Sequence, residues 1–164
     1  GRVNLITANF GSFKPYDMSN RFFNRNLAGG AMLDIGVYAL SFVRYFFDSS
    51  PNNTLSQVKY APTGVDEQSG LLLMNDEGQM ASVMLSLHSK QPKRAIVSCE
   101  RGYIEIMEYP RAWEAKITDA ESGESRLVKA GKNEDALWYE IEDMKKACRV
   151  RTVCTSIIPR MLCI

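Results

Sequence analysis

Residues 28–40 read AGGAMLDIGVYAL, an apolar run interrupted by one carboxylate, Asp34, with a phenol, Tyr38, four residues later. On a helix, positions four apart share a face, so both side chains reach the same neighbour. A carboxylate can hold a substrate hydroxyl. A phenol can pass a proton when a nearby cation lowers its pKa from about 10. The sequence identifies no such cation. Ser41 and Tyr45 continue the stripe, giving a semi-polar face. The competing reading is structural: a carboxylate in a first helical turn complements the dipole or caps the helix, and a tyrosine one turn on is often a core aromatic with a wet hydroxyl. Gly29 and Gly30 precede the run and allow a backbone or a ligand to approach the helix end closely.

The elements that must position this pair follow from periodicity. Arg2 to Phe10 alternates and reads as a strand. Residues 11–30 are rich in Gly, Pro, Asn, Ser and aromatics, a long loop with a short helical turn, and a helix is expected from about Ala31 to Phe47, ended by Asp48-Ser49-Ser50-Pro51. Strands follow at Leu55 to Ala61, Gly70 to Met74 and Gln79 to His88, the last two joined by Asn75-Asp76-Glu77-Gly78. Within the last, Ala81, Val83, Leu85 and Leu87 form one face, opposite Met80, Ser82, Met84, Ser86 and His88. Lys93 to Cys99 pairs with Tyr103 to Met107, and Trp113 to Thr118 with Ser125 to Lys129. A closing helix starts at Asn133, a candidate N-cap, with Leu137, Ile141, Met144 and Cys148 as its apolar stripe. Strands and helices are segregated, which predicts an α+β fold: one open, mostly antiparallel sheet with helices packed on one face. The other face is half polar, suited to solvent or to a second subunit.

Composition limits the function classes. The 164 residues hold 45% hydrophobic and 24% charged side chains, with a formal net charge of +1, ordinary for one globular domain. Basic residues are scattered, so no nucleic-acid footprint is expected. No apolar run reaches the ~20 residues of a membrane span, because Asp34 and Arg44 interrupt the longest candidate, and no membrane partner is expected. Cys99, Cys148, Cys154 and Cys163 form no C-x-x-C pair and His88 is the one histidine, so no zinc site is expected. A disulfide between the late cysteines stays open; a reduced, cytoplasmic chain is the expectation. His88 reads as a surface or interface residue, Met80 and Met84 as packing, Trp113 and Trp138 as core or interface, and Glu140, Glu142 and Asp143 as a solvated helix face.

Residues 21–40, RFFNRNLAGGAMLDIGVYAL, resemble the C-terminal domain of the glucose-fructose oxidoreductase, inositol dehydrogenase and rhizopine-catabolism family. With tyrosine at position 38 the stretch is most similar to the glucose-fructose oxidoreductase and trans-dihydrodiol dehydrogenase branch. The opening strand, the loop with Phe13 and Pro15, the hairpins and the strand around Gly102-Tyr103-Ile104-Glu105-Ile106 fit in order, so the likeness covers residue 1 to about 148. The resemblance implies an NAD(P)-dependent oxidoreductase acting on a sugar, polyol or dihydrodiol. It implies Asp34 as a substrate contact, Tyr38 as proton donor or acceptor, and Arg21 and Asn24 in the loop approaching substrate, with a small hydroxyl or carbonyl compound as substrate. It further implies that residues 1–164 are a substrate-binding and dimerisation domain whose open sheet joins a homo-oligomer. The family's N-terminal Rossmann domain, with its glycine-rich phosphate loop and its catalytic lysine, has no counterpart in these residues. NAD(P) is therefore expected to be bound mainly by a domain missing from this chain, leaving the chain alone inactive. The alternative is a non-catalytic interaction or dimerisation module that uses the sheet. Residues 150–164 do not follow the family's usual ending.

Overall fold

The computed structural model describes residues 1–150, in which eight strands form a single sheet. In chain order they are β1 (Val3–Gly11), β2 (Asn53–Tyr60), β3 (Asp66–Met74), β4 (Met80–Ser86), β5 (Arg94–Cys99), β6 (Gly102–Met107), β7 (Glu114–Asp119) and β8 (Ser125–Lys129). The helices are α1 (Val37–Phe46) and α2 (Ala136–Val150). The spatial order is β2-β3-β4-β1-β5-β6-β7-β8. Every pairing is antiparallel except β1 with β4, which run parallel with Leu5 opposite Met80 and Phe10 opposite Leu85. The α+β architecture with an open, mostly antiparallel sheet is as the sequence implies. The central place of β1 is not, because alternation reveals a strand but not its neighbours.

Period-2 patterning sets the two faces. Ile6, Ala8 and Phe10 of β1 meet Ala81, Val83 and Leu85 of β4 and Ala95 and Val97 of β5 on the buried side. There α1 covers them with Ala39, Phe42 and Val43, preceded by Ala31 and Ile35. The opposite face exposes Leu5, Leu55, Leu72, Met80, Met84 and Tyr103. By length and composition the stretch Arg25–Phe46 would suffice to cross a bilayer, beyond what the interruptions at Asp34 and Arg44 suggest. Half of its apolar window is nonetheless buried within the protein (50%), as expected of a core segment lying on a sheet.

The expected helix from Ala31 is not regular. Met32–Gly36 forms a π-helical turn that passes into α1. Such turns widen a helix locally and recur at functional sites. Ser41 also departs from the semi-polar stripe and is buried. At the other end, Asn133 lies inside a short 3-10 turn and not at a side-chain cap, and of the α2 stripe Leu137, Ile141 and Met144 face outward, because no described element lies opposite them. Cys99 and Cys148 are free thiols; Cys154 and Cys163 lie outside the described residues.

Candidate functional site

The loop before α1 folds onto the helix start through the two glycines. A Cβ on Gly29 would sit 2.5 Å from the Arg21 carbonyl oxygen, 2.8 Å from that of Phe22 and 2.9 Å from the Asn24 nitrogen. Gly30 has φ +116°, outside the range of side-chain-bearing residues, and its Cβ position is taken by Asp66 Oδ1. The loop therefore lies directly against the helix start, stabilised by Asn20 and Asn24, whose amide oxygens cap two short 3-10 turns.

Asp66, from β3, accepts the Met32 N–H at 2.7 Å and the Ser69 hydroxyl at 2.8 Å. The N–H at the helix start, which has no partner within the helix, is thus satisfied by a residue far away in sequence. Asp34 makes no cap. It pairs instead with the Arg21 guanidinium, and its side chain is 12% exposed.

Asp34, Tyr38 and Arg21 line one cleft of about 510 Å³. Tyr38 is 36% exposed and its ring leans on Phe10, 5.8 Å between centroids. Asn24 lies outside the lining and serves the loop by accepting the Asn26 N–H at 3.0 Å. His88 is elsewhere too: Nδ1 lies 3.0 Å from the Lys14 carbonyl oxygen and the ring packs between Phe13 and Tyr16. Trp113 and Trp138 carry Lys129 and Lys145 over their rings, away from the cleft, and Asp143 pairs with Lys146 on the surface of α2.

The remaining wall of the cleft carries residues that spacing along the chain does not mark. Lys93, just before β5, places its ammonium 5.3 Å over the ring of Phe10, the ring that Tyr38 also touches, and pairs with Glu108 at 3.0 Å. Lys93 thus brings an ammonium group to the wall of the cleft that Tyr38 also lines. Lys14 and Arg111 complete the wall. Arg111 follows Glu108-Tyr109-Pro110, where Glu108 adopts a left-handed conformation (φ 51°, ψ 37°) that is uncommon without glycine. Tyr109 beneath is buried against Phe10 and Phe42, and burial pushes its phenol above the ordinary range. Phe10 and Lys93 are legible as strand residues, but the meeting of Lys93 with Phe10 depends on β1 lying beside β5.

A model of the GFO/IDH/MocA C-terminal domain matches residues 1–105. The chain belongs to this family. Among relatives of this GFO/IDH/MocA domain, trans-1,2-dihydrobenzene-1,2-diol dehydrogenase from Mus musculus is 32% identical over 109 residues, 65% of this chain and 32% of the relative. The Xenopus tropicalis enzyme of the same name is 32% identical over 107 residues, with the same coverage of both chains. The chain thus spans about a third of the length of the curated relatives it matches. UDP-N-acetylglucosamine 3-dehydrogenase GnnA from Acidithiobacillus ferrooxidans shares the fold with TM-score 0.75 at 18% identity, over 99% of this chain and 51% of that one. KijD10, a 3-ketoreductase from Actinomadura kijaniata solved with NADP and TDP-benzene, gives 0.76 at 16% identity, over 99% and 50%.

The glycine-preceded helix start does not fit the phosphates of a dinucleotide. The glycines before the helix have their side-chain space filled by Arg21, Phe22, Asn24 and Asp66 atoms, and the Asp66 carboxylate occupies the helix start where an anion would bind.

Proposed function

We propose that this domain is the substrate side of an NAD(P)-dependent oxidoreductase acting on a sugar, polyol or dihydrodiol hydroxyl, or on the corresponding carbonyl. The observation that carries the reading is the placement of Asp34. It is relieved of capping by Asp66 and lines the same cleft as Tyr38. Asp34, oriented by Arg21, accepts a hydrogen bond from a substrate hydroxyl. In the reducing direction the Tyr38 O–H donates its proton to the carbonyl oxygen; in the oxidising direction the Tyr38 oxygen takes it back. Bound nicotinamide supplies hydride chemistry, and an N-terminal Rossmann domain outside these residues holds the nucleotide phosphates. The chain alone is inactive on this reading. The protein works in the cytoplasm, and the open sheet, with Leu5, Leu72, Met80 and Met84 exposed, joins a second copy.

The test is nicotinamide turnover by the full-length protein across aldoses, polyols and trans-dihydrodiols, beside Tyr38→Phe. The variant is expected to lose about 10²–10⁴-fold in kcat, the range for one acid–base group. Wild-type turnover in Tyr38→Phe refutes the proton role. The second reading, a non-catalytic assembly module, draws on that same exposed apolar face; cofactor binding with no turnover on any substrate would favour it.

A further inference from the structure

The charges of the cleft do not balance. Four cationic side chains line it, Lys14, Arg21, Lys93 and Arg111, against two carboxylates, Asp34 and Glu108. Both carboxylates are engaged, Asp34 with Arg21 and Glu108 with Lys93. Lys14 and Arg111 have no carboxylate partner among the described residues. Lys14 rests its ammonium 4.4 Å over the Phe22 ring, the ring that also carries the Arg21 guanidinium at 4.7 Å. Arg111 is held in place by its backbone: its N–H donates to the Glu108 carbonyl at 2.9 Å in the turn that Glu108 enters left-handed and Pro110 stiffens. The excess is local, since the chain as a whole has a formal net charge of only +1. A neutral diol would satisfy Asp34 and Tyr38 and leave both cations facing water.

We infer that the cleft takes a hydroxyl or carbonyl substrate that also bears an anionic group, a phosphate or a carboxylate, received by Arg111 and Lys14. The inference rests on the oxidoreductase reading for the reacting end and adds the chemistry of the other end. Arg111 offers a planar fork that matches either anion with two parallel hydrogen bonds, and Lys14 adds a point charge. The anion could also belong to the nucleotide cofactor, so the test separates the two sources.

The experiment is an NMR titration of the 164-residue chain with glucose 6-phosphate, glucuronate, glucose and NADP, each to about 20 mM, at low and moderate salt. The expected result is binding of glucose 6-phosphate or glucuronate at least about tenfold tighter than glucose, the size of one charge-assisted hydrogen bond. That advantage should shrink with salt and vanish in Arg111→Gln/Lys14→Gln, whose circular dichroism stays that of the parent. Equal affinity for charged and neutral sugars, including no binding of either, overturns the inference, as does an advantage that survives the double variant. Binding of NADP alone, lost in the double variant, assigns the cations to the cofactor and overturns the substrate assignment. The titration involves no redox step, so its failure is distinct from that of the oxidoreductase reading. A charge preference without turnover by the full-length protein would sink the latter alone.

Discussion

Replacing Gly29 by alanine tests whether the close approach of loop and helix is what builds the site. The added Cβ would meet three backbone atoms, at 2.5, 2.8 and 2.9 Å, and none can rotate away as a side chain would. Restoring the tightest of these to an ordinary 3.4 Å contact requires the Arg21–Asn24 segment to retreat by roughly 0.9 Å. Overpacking of this kind costs about 1–3 kcal/mol, and a backbone obstacle places Gly29→Ala near the top of that range. Alanine recovers about 0.4–1 kcal/mol by restricting the unfolded chain. The net loss is about 2 kcal/mol, a fall in Tm of about 4–8 °C for a domain of this size. Urea unfolding followed by circular dichroism measures it, with Gly64→Ala as the comparison. Gly64 has φ +80° and open space around its Cβ, so that variant carries the left-handed penalty alone, about 1 kcal/mol. If Gly29→Ala proves no less stable than Gly64→Ala, the close-approach argument is wrong.

Three further perturbations separate scaffold from site. Asp66→Ala removes the remote cap at Met32 and should cost about 1–2 kcal/mol in urea unfolding, whereas Asp34→Ala, losing a pair whose arginine is half exposed, should cost well under 1 kcal/mol and act on turnover instead. Tyr109→Phe keeps the ring contacts and removes a buried hydroxyl with no partner among the described residues, so stability should stay level or rise by up to about 1 kcal/mol; a loss of that size would reveal a partner for the hydroxyl. In the β7–β8 turn the Ser122 N–H, the Glu121 N–H and the Ser122 hydroxyl hold the Asp119 carboxyl below its usual range. A carboxyl depressed in the folded state stabilises above its unfolded pKa and loses that contribution as pH falls through its folded one. The gap in urea midpoint between the parent and Asp119→Asn should therefore be open at about pH 6 and narrow as the pH falls below the ordinary carboxylate value of 3.8; a gap independent of pH would contradict the assignment.

The sequence displays what is local. Alternation in residues 80–88 separates the buried Ala81, Val83, Leu85 and Leu87 from the exposed Met80 and Met84. Turn residues locate the β5–β6 and β7–β8 hairpins, and the four-residue spacing brings Asp34 and Tyr38 to one cleft even across a π-helical turn. What the sequence hides is pairing at long range. Asp66 caps a helix that begins 34 positions earlier, and no rule of spacing announces it. Lys93 and Tyr38 share Phe10 only because β1 lies beside β5. The α2 stripe misleads for the converse reason: amphipathic periodicity promises a partner surface, and the described residues do not contain one.

The central position of β1 also bears on how the domain is made. When β1 emerges from the ribosome, the strands that flank it on both sides, β4 and β5, have not yet been made. Its parallel partner β4 begins ~75 residues later, which at about 5–20 residues per second leaves Ile6, Ala8 and Phe10 without their sheet for roughly 4–15 s. The β2–β3–β4 meander can pair by hairpins as it emerges, whereas β1 joins only by closing a long loop, the slow class of event in folding. Nascent chains of this domain should therefore offer their N-terminal strand to holding chaperones until β4 and β5 arrive, and the cleft, whose floor is Phe10, assembles last.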